Sequence, residues 1–304
     1  MTEPLLLIGW LLVSHLTADF VLQTNASVAD RNGSGPRARR AFGRHALIVA
    51  ACMAPFWLAY GTPGLIALLV VAVPHPFIDA AKTRLTELQR AAADPTDWSP
   101  WPAGLFLLDQ VAHLALVYGA WVLLRDAALN PWFVDRVAQA TAGIAPADIH
   151  LAALIVVVGW SLAVVNGRAA RFFVPLLLPP EAVPGTAPAA ATAPPAAATA
   201  PPAAAGYSVK FGPLSGRIEP DRPNTVETSD NVGAVVGVLE RLLIVILILD
   251  HAEAAIGLVI AAKTLARFKQ LDERAFAEKY LVGTLASVTV AVASALAARA
   301  VLGI

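Results

Sequence analysis

The chain has 304 residues, 57% of them hydrophobic and 14% charged, with a formal net charge of zero. A soluble domain carries about 25% charged residues, so this composition points to a membrane protein of several spans, and the neutral balance argues against nucleic-acid binding. The single cysteine, Cys52, excludes a disulfide framework and a thiolate zinc site, which leaves His and carboxylate side chains as metal donors.

The first apolar run, about 4–23, lacks a basic leading region and a small-residue cleavage site, and reads as a retained span rather than a signal peptide. It holds His15 and Asp19, four residues apart and therefore on one helix face. The second predicted span, 43–60, opens close to His45. The third, 63–85, carries His75 and Asp79 at the same spacing, and Pro74 and Pro76 flank the histidine. Neither proline can donate to the carbonyl four residues back (Val70, Ala72), which predicts a kinked or opened helix there. The fourth span, 103–125, carries Asp109 and His113, again four apart, and the fifth covers 149–178. A Pro/Ala/Thr repeat follows over 181–206, without apolar periodicity, and predicts a disordered cytoplasmic linker. The polar stretch Tyr207 to Asp230 is expected to be loosely structured. Spans over 232–250, 253–270 and 276–302 complete the chain, the seventh short enough to be tilted or re-entrant. The expected fold is an all-α integral membrane bundle of about eight spans. Its three parts are a five-span unit (1–180), the linker with its polar loop (181–230) and a three-span unit (231–304).

Cations alternate from loop to loop. Arg31, Arg37, Arg39, Arg40 and Arg44 follow the first span, none follow the second, and Lys82, Arg84 and Arg90 follow the third. The positive-inside rule then sets the odd loops in the cytoplasm and both termini outside. In that topology His15, Asp19, His45, His75, Asp79, Asp109 and His113 share one depth, within about two to three helical turns of the cytoplasmic surface.

Ionisable side chains are costly inside a bilayer unless they meet one another or an ion. The residues admit three readings: a metal site, a His–Asp proton relay of a transporter, or polar packing that locks helices together. Seven donors on four helices favour the first, with zinc as the expected divalent metal and manganese as the alternative. Two or more such ions lower the pKa of a bound water and clamp the oxygens of a phosphoester. Asp19 and Asp109 are the expected catalytic carboxylates, as bridges or general base. Gln23 and Gln110 read either as donors that orient ligands or as interfacial polar packing. In the C-terminal unit Glu240, Arg241, Lys263 and Arg267 read either as helix-linking ion pairs or as the site for an anionic substrate. His150 and His251 fall on the outer side and are left out of the site.

The segments HLTADFVLQ, RHALIV, PHPFIDAAKTRL and LFLLDQVAHL, with GVLERLLIVILIL, AIGLVIAAKTLARFK and AEKYLVGTLASV near the end, resemble a bacterial inner-membrane family known as domain of unknown function 3307. The resemblance covers roughly 1–125 and 231–290 and implies a multi-pass protein of the bacterial inner membrane. More loosely, the H-x-x-x-D and D-x-x-x-H pairs are similar to membrane-bound metal-dependent hydrolases and to the zinc-dependent phospholipase C and single-strand nuclease group. That likeness implies a cluster of zinc ions held by His and Asp from several helices, and phosphoester cleavage. Carried over residue by residue, it assigns such roles to His15, Asp19, His45, His75, Asp79, Asp109 and His113 alone. The expected function is a cytoplasm-facing, metal-dependent hydrolase of a phosphoester, in a lipid or lipid-linked substrate. The alternatives are a proton- or cation-coupled transporter and a non-enzymatic scaffold.

Overall fold

Helix breakers and apolar runs set where each helix begins and ends in the computed structural model, which describes residues 4–31, 33, 35–92, 99–178, 207–211, 214–218 and 225–304. Helix α1 (Pro4–Leu16) passes without a break into a π-helical turn, Thr17–Val21. A short α2 (Asn25–Arg31) leads to α3 (Pro36–Tyr60), whose first turn holds a proline where no backbone donor is needed. Gly61, at a φ of +60°, turns the chain directly into α4 (Thr62–Ala72). Gly64 then lies so close to the preceding helix that a Cβ would stand 2.0 Å from the Phe56 carbonyl oxygen, so only glycine fits this hairpin. Helix α4 stops at Ala72 and α5 (His75–Ala92) restarts at His75, which is the interruption that Pro74 and Pro76 predict.

Helix α6 (Trp101–Leu124) is followed by a short α7 (Pro131–Ala140) that the sequence reading left as loop. Asn130 caps α7 by accepting a hydrogen bond from the Trp132 amide at 3.1 Å. Helix α8 (Pro146–Val164) continues through a second π-helical turn, Val165–Ala169, into α9 (Ala170–Leu176). The expected linker 181–206 lies outside the described residues. Beyond it, β1 (Tyr207–Phe211) and β2 (Leu214–Ile218) pair as an antiparallel hairpin with Tyr207 opposite Ile218, where a loosely structured stretch was expected. Helices α10 (Thr225–Leu249), α11 (Ile256–Ala266) and α12 (Arg274–Leu302) follow.

Six helical segments among the described residues are long and apolar enough to cross a membrane: Pro4–Val21, Pro36–Tyr60, Thr62–Ala92, Trp101–Leu124, Pro146–Leu176 and Arg274–Leu302. This is compatible with a multi-pass membrane protein; six such segments are found among the described residues, against the eight spans expected. The seventh expected segment, 253–270, which the sequence already marks as short, forms a helix α11 of 11 residues, about 16 Å, roughly half a hydrocarbon core. It still carries the chain back between the ends of its neighbours. Arg241 of α10 meets Ser287 of α12, and further along both helices Arg299 meets the Ile248 carbonyl. Helices α10 and α12 therefore run parallel, and α11 returns between them.

Two compact units are found, residues 1–179 with 237–304, and residues 180–236. In the first, Leu7, Leu11, Val49, Met53, Phe56, Val71, Val117 and Leu124 interlock α1, α3, α4 and α6. A second cluster joins Ile244, Val245 and Ile248 of α10 to Ala291 and Ala295 of α12. The exposed large apolar side chains, among them Leu47, Leu108 and Val111, face outward as lipid-facing residues do.

Candidate metal centre

His15 sits in the last turn of α1, and Asp19 in the π-helical turn that follows it. Widened turns of this kind shift side chains out of the regular register and recur at functional sites. His45 comes from α3, and Asp109 and His113 from α6. His75 and Asp79 come from α5, whose start is fixed by the proline break. All seven side chains are buried, none more than 7% exposed. The structure thus gathers every His and Asp that spacing singles out, from four separate stretches of chain.

Three donor atoms from three elements form a small triangle. His45 Nε2 lies 3.0 Å from His75 Nε2, and Asp19 Oδ1 lies 3.4 Å from the first and 3.2 Å from the second. Tetrahedral zinc with bonds of about 2.0–2.1 Å separates its ligand atoms by about 3.3 Å, so these edges match one face of such a site. Asp79 Oδ2 lies 3.5 Å from His45 Nε2, and His15 Nδ1 lies 3.7 Å from Asp19 Oδ2. On the other side His113 Nδ1 lies 3.7 Å from Asp109 Oδ1, and the His113 ring centroid is 4.0 Å from that of His75. Three triads have ligand atoms close enough to share an ion: His15–Asp19–His75, His45–His75–Asp79 and Asp79–Asp109–His113. His75 and Asp79 each belong to two of them. A carboxylate has two oxygens and can bridge two ions, whereas one imidazole nitrogen serves one.

Several buried polar atoms of this cluster make no hydrogen bond: His15 Nε2, Asp19 Oδ1, Asp109 Oδ1 and both ring nitrogens of His113. Each such atom costs about 1–3 kcal/mol when it is left unmet. Their concentration in one place fits a set of donors for a cation, and the all-N/O donor set suits zinc or manganese.

Two cations complete the site. Arg31 of α2 pairs with Asp79, and Lys82 of α5 lies 3.0 Å from Asp109 Oδ2. Gln110 Nε2 donates to the same Asp109 oxygen at 3.0 Å, in the orienting role that is one of its two readings. Arg31 and Lys82 line a cavity of about 230 Å³ with Asp19, Gln23, Asp79, Thr83, Arg90 and Asp109. The sequence reading took both cations as topology determinants only. Lys82 had a signal, since it follows His75 by seven residues and continues the same helical stripe. Arg31 had none, because a separate short helix delivers it across the fold.

The residues of the expected anion site in the C-terminal unit pair with one another and with neighbouring helices. Lys263 Nζ bonds Glu240 Oε2 at 2.6 Å, and Arg267 is exposed and donates to Gln270. Arg241 donates to the Asn166 carbonyl at 2.6 Å and to Ser287 Oγ at 3.0 Å. None of the four lines the cavity at the ligand cluster. Glu240, Lys263 and Arg241 tie helices together, which is the other reading the residues allow, whereas Arg267 bonds only within the turn that follows its own helix. His150 and His251 belong to none of the three triads.

Comparison with known proteins places these residues in one segment. Residues 6–136 match the family model described as Protein of unknown function (DUF3307). The DUF3307 segment contains all seven His and Asp ligand candidates together with Arg31 and Lys82. Glu240, Arg241, Lys263 and Arg267 lie outside it, as does the stretch 231–290 that was expected to share the resemblance. No curated protein and no solved structure matches the chain.

Proposed function

We propose that the His/Asp cluster is a polynuclear metal centre and that the protein is a membrane-embedded, metal-dependent phosphoester hydrolase. The observation that carries this reading is the triangle of Asp19 Oδ1, His45 Nε2 and His75 Nε2, buried among further donors that have no hydrogen bond. His15, Asp19, His45 and His75 would hold one ion, and Asp79, Asp109 and His113 a second, with zinc the favoured metal and manganese the alternative. The ions would supply an activated water and charge stabilisation.

The chain's own groups divide the remaining work. Arg31 and Lys82 stand over the carboxylates of Asp79 and Asp109 in the cavity and are placed to take the oxygens of an anionic phosphate. Asp19 and Asp109 each keep an oxygen without a hydrogen bond, so each can bridge ions or accept a proton from the attacking water. Thr83 and Gln23 add neutral hydrogen-bonding groups to the cavity wall. The site lies at the end of the helix bundle that carries the arginines of the 31–44 segment, which supports a cytoplasmic opening, the termini outside, and placement in the bacterial inner membrane.

The test is turnover by purified protein of a chromogenic phosphoester. Hydrolysis should stop with a chelator and return with zinc or manganese; activity indifferent to chelation contradicts the reading. A transporter using the same residues would instead move protons or cations across proteoliposomes without turnover. The clustering of all seven groups at one level, rather than along a path through the bundle, disfavours it.

A further inference from the structure

Beside the ligand cluster, residues of α1, α6, α8 and α12 line a second, open cavity of about 430 Å³. This is within the roughly 300–1,000 Å³ typical of small-molecule sites. Its walls are apolar, with Leu12, Leu114, Val158 and Ala297 among them. Gly9 forms part of the wall where α1 meets α8, and a Cβ there would stand 2.5 Å from a Val157 methyl. Two links join this cleft to the proposed site. His15 lines it, buried to 5% exposure and with Nε2 free of any hydrogen bond. Gln110 lines both cavities and bonds Asp109 in the wall of the cationic one.

We infer that this cleft holds an aliphatic chain of the substrate, which makes the substrate an amphiphilic lipid phosphate rather than a soluble phosphoester. The inference rests on the phosphoesterase reading above. A headgroup phosphate beside Arg31 and Lys82 and a chain between α1, α6, α8 and α12 would set the reacting bond against the His/Asp cluster. A soluble substrate would leave the cleft without a use, and an apolar wall reaching a metal-ligand histidine is what a lipid tail requires. The polar cavity supplies charge, the cleft supplies apolar contact, and neither alone distinguishes a lipid phosphate from its two halves.

The experiment uses the full chain in phosphatidylcholine vesicles containing a trace of phosphatidic acid with a photoactivatable diazirine in one acyl chain. The control is phosphatidylcholine with the same label, and crosslinked residues are mapped by mass spectrometry. The phosphatidic acid probe should label the cleft several-fold more than the control. Leu114→Trp and Ala297→Phe, both at exposed positions of the wall, should each remove that excess. Equal labelling by both probes means bulk lipid only and overturns the inference. So does an excess that survives both variants, or crosslinking of the cleft to a second copy of the chain. Metal content measured on the same preparation separates the two claims. Selective labelling of a protein without metal ends the hydrolase reading and leaves the lipid site standing; a metal-loaded protein without selective labelling does the reverse.

Discussion

His45 Nε2 and His75 Nε2 face each other at 3.0 Å, from α3 and α5, with Asp19 Oδ1 completing the triangle. Two imidazoles at this distance need either a proton between them or a cation. A shared proton would satisfy the pair but not the neighbouring donors on His15, His113, Asp19 and Asp109. A cation set satisfies the cluster as a whole, so the pair is the geometric centre of the account.

Arg31 and Lys82 should matter for substrate and not for metal. Charge-assisted hydrogen bonds contribute about 1.5–3 kcal/mol. Lys82→Ala and Arg31→Ala should each lower kcat/KM for a phosphoester by roughly 10- to 100-fold, with ion content retained. Steady-state kinetics beside elemental analysis checks this. Metal lost together with activity would show the cations to be supports of the ligands.

The C-terminal ion pair should behave oppositely. Lys263 and Glu240 meet at 2.6 Å and lie away from the cavity. Lys263→Ala and Glu240→Ala should leave phosphoester turnover within about twofold of the parent. Thermal unfolding of the single and double variants in detergent should show a coupling of about 0.5–3 kcal/mol. A large loss of turnover at unchanged Tm would restore these residues to the site.

Arg241 should be a structural lock. Its guanidinium, 5% exposed, joins α10 to the second π-helical turn through the Asn166 carbonyl and to α12 through Ser287. Arg241→Met keeps the length and removes the donors, which leaves both acceptors unmet at about 1–3 kcal/mol. The Tm in detergent should fall by several degrees with metal content unchanged. An unchanged Tm would remove the locking role.

Gln110 should tune the metal through Asp109. Loss of a hydrogen bond that orients a ligand weakens metal binding by about 10- to 100-fold. Gln110→Leu should raise the dissociation constant accordingly in a competition titration with a chromogenic chelator. An affinity equal to the parent's would leave Gln110 only its place in the cavity walls.

The ligands were legible because each pair is local. His15–Asp19, His75–Asp79 and Asp109–His113 all stand four apart inside apolar runs, and such a spacing survives any arrangement of the helices. The break at Pro74 and Pro76 was legible for the same reason, since a proline acts on its own helix. Arg31 was not, because its meeting with Asp79 depends on how α2 packs across the bundle. The short α11 was half legible: consecutive spans imply its return between parallel α10 and α12, which Arg241–Ser287 bears out, whereas its helix is shorter than the apolar run 253–270 suggests. Helix α7 and the β1–β2 hairpin carry no long apolar run and gave no such signal.

The most direct test is the metal content of the purified full chain, measured by inductively coupled plasma mass spectrometry for the parent, His75→Ala and Asp79→Ala. His75 belongs to the first proposed ligand set and Asp79 to the second, and each takes part in two of the three triads, so the two changes together probe both ions. The account predicts stoichiometric zinc or manganese in the parent and a loss of metal in both variants. A parent without stoichiometric transition metal, or variants that retain all of it, would contradict the account.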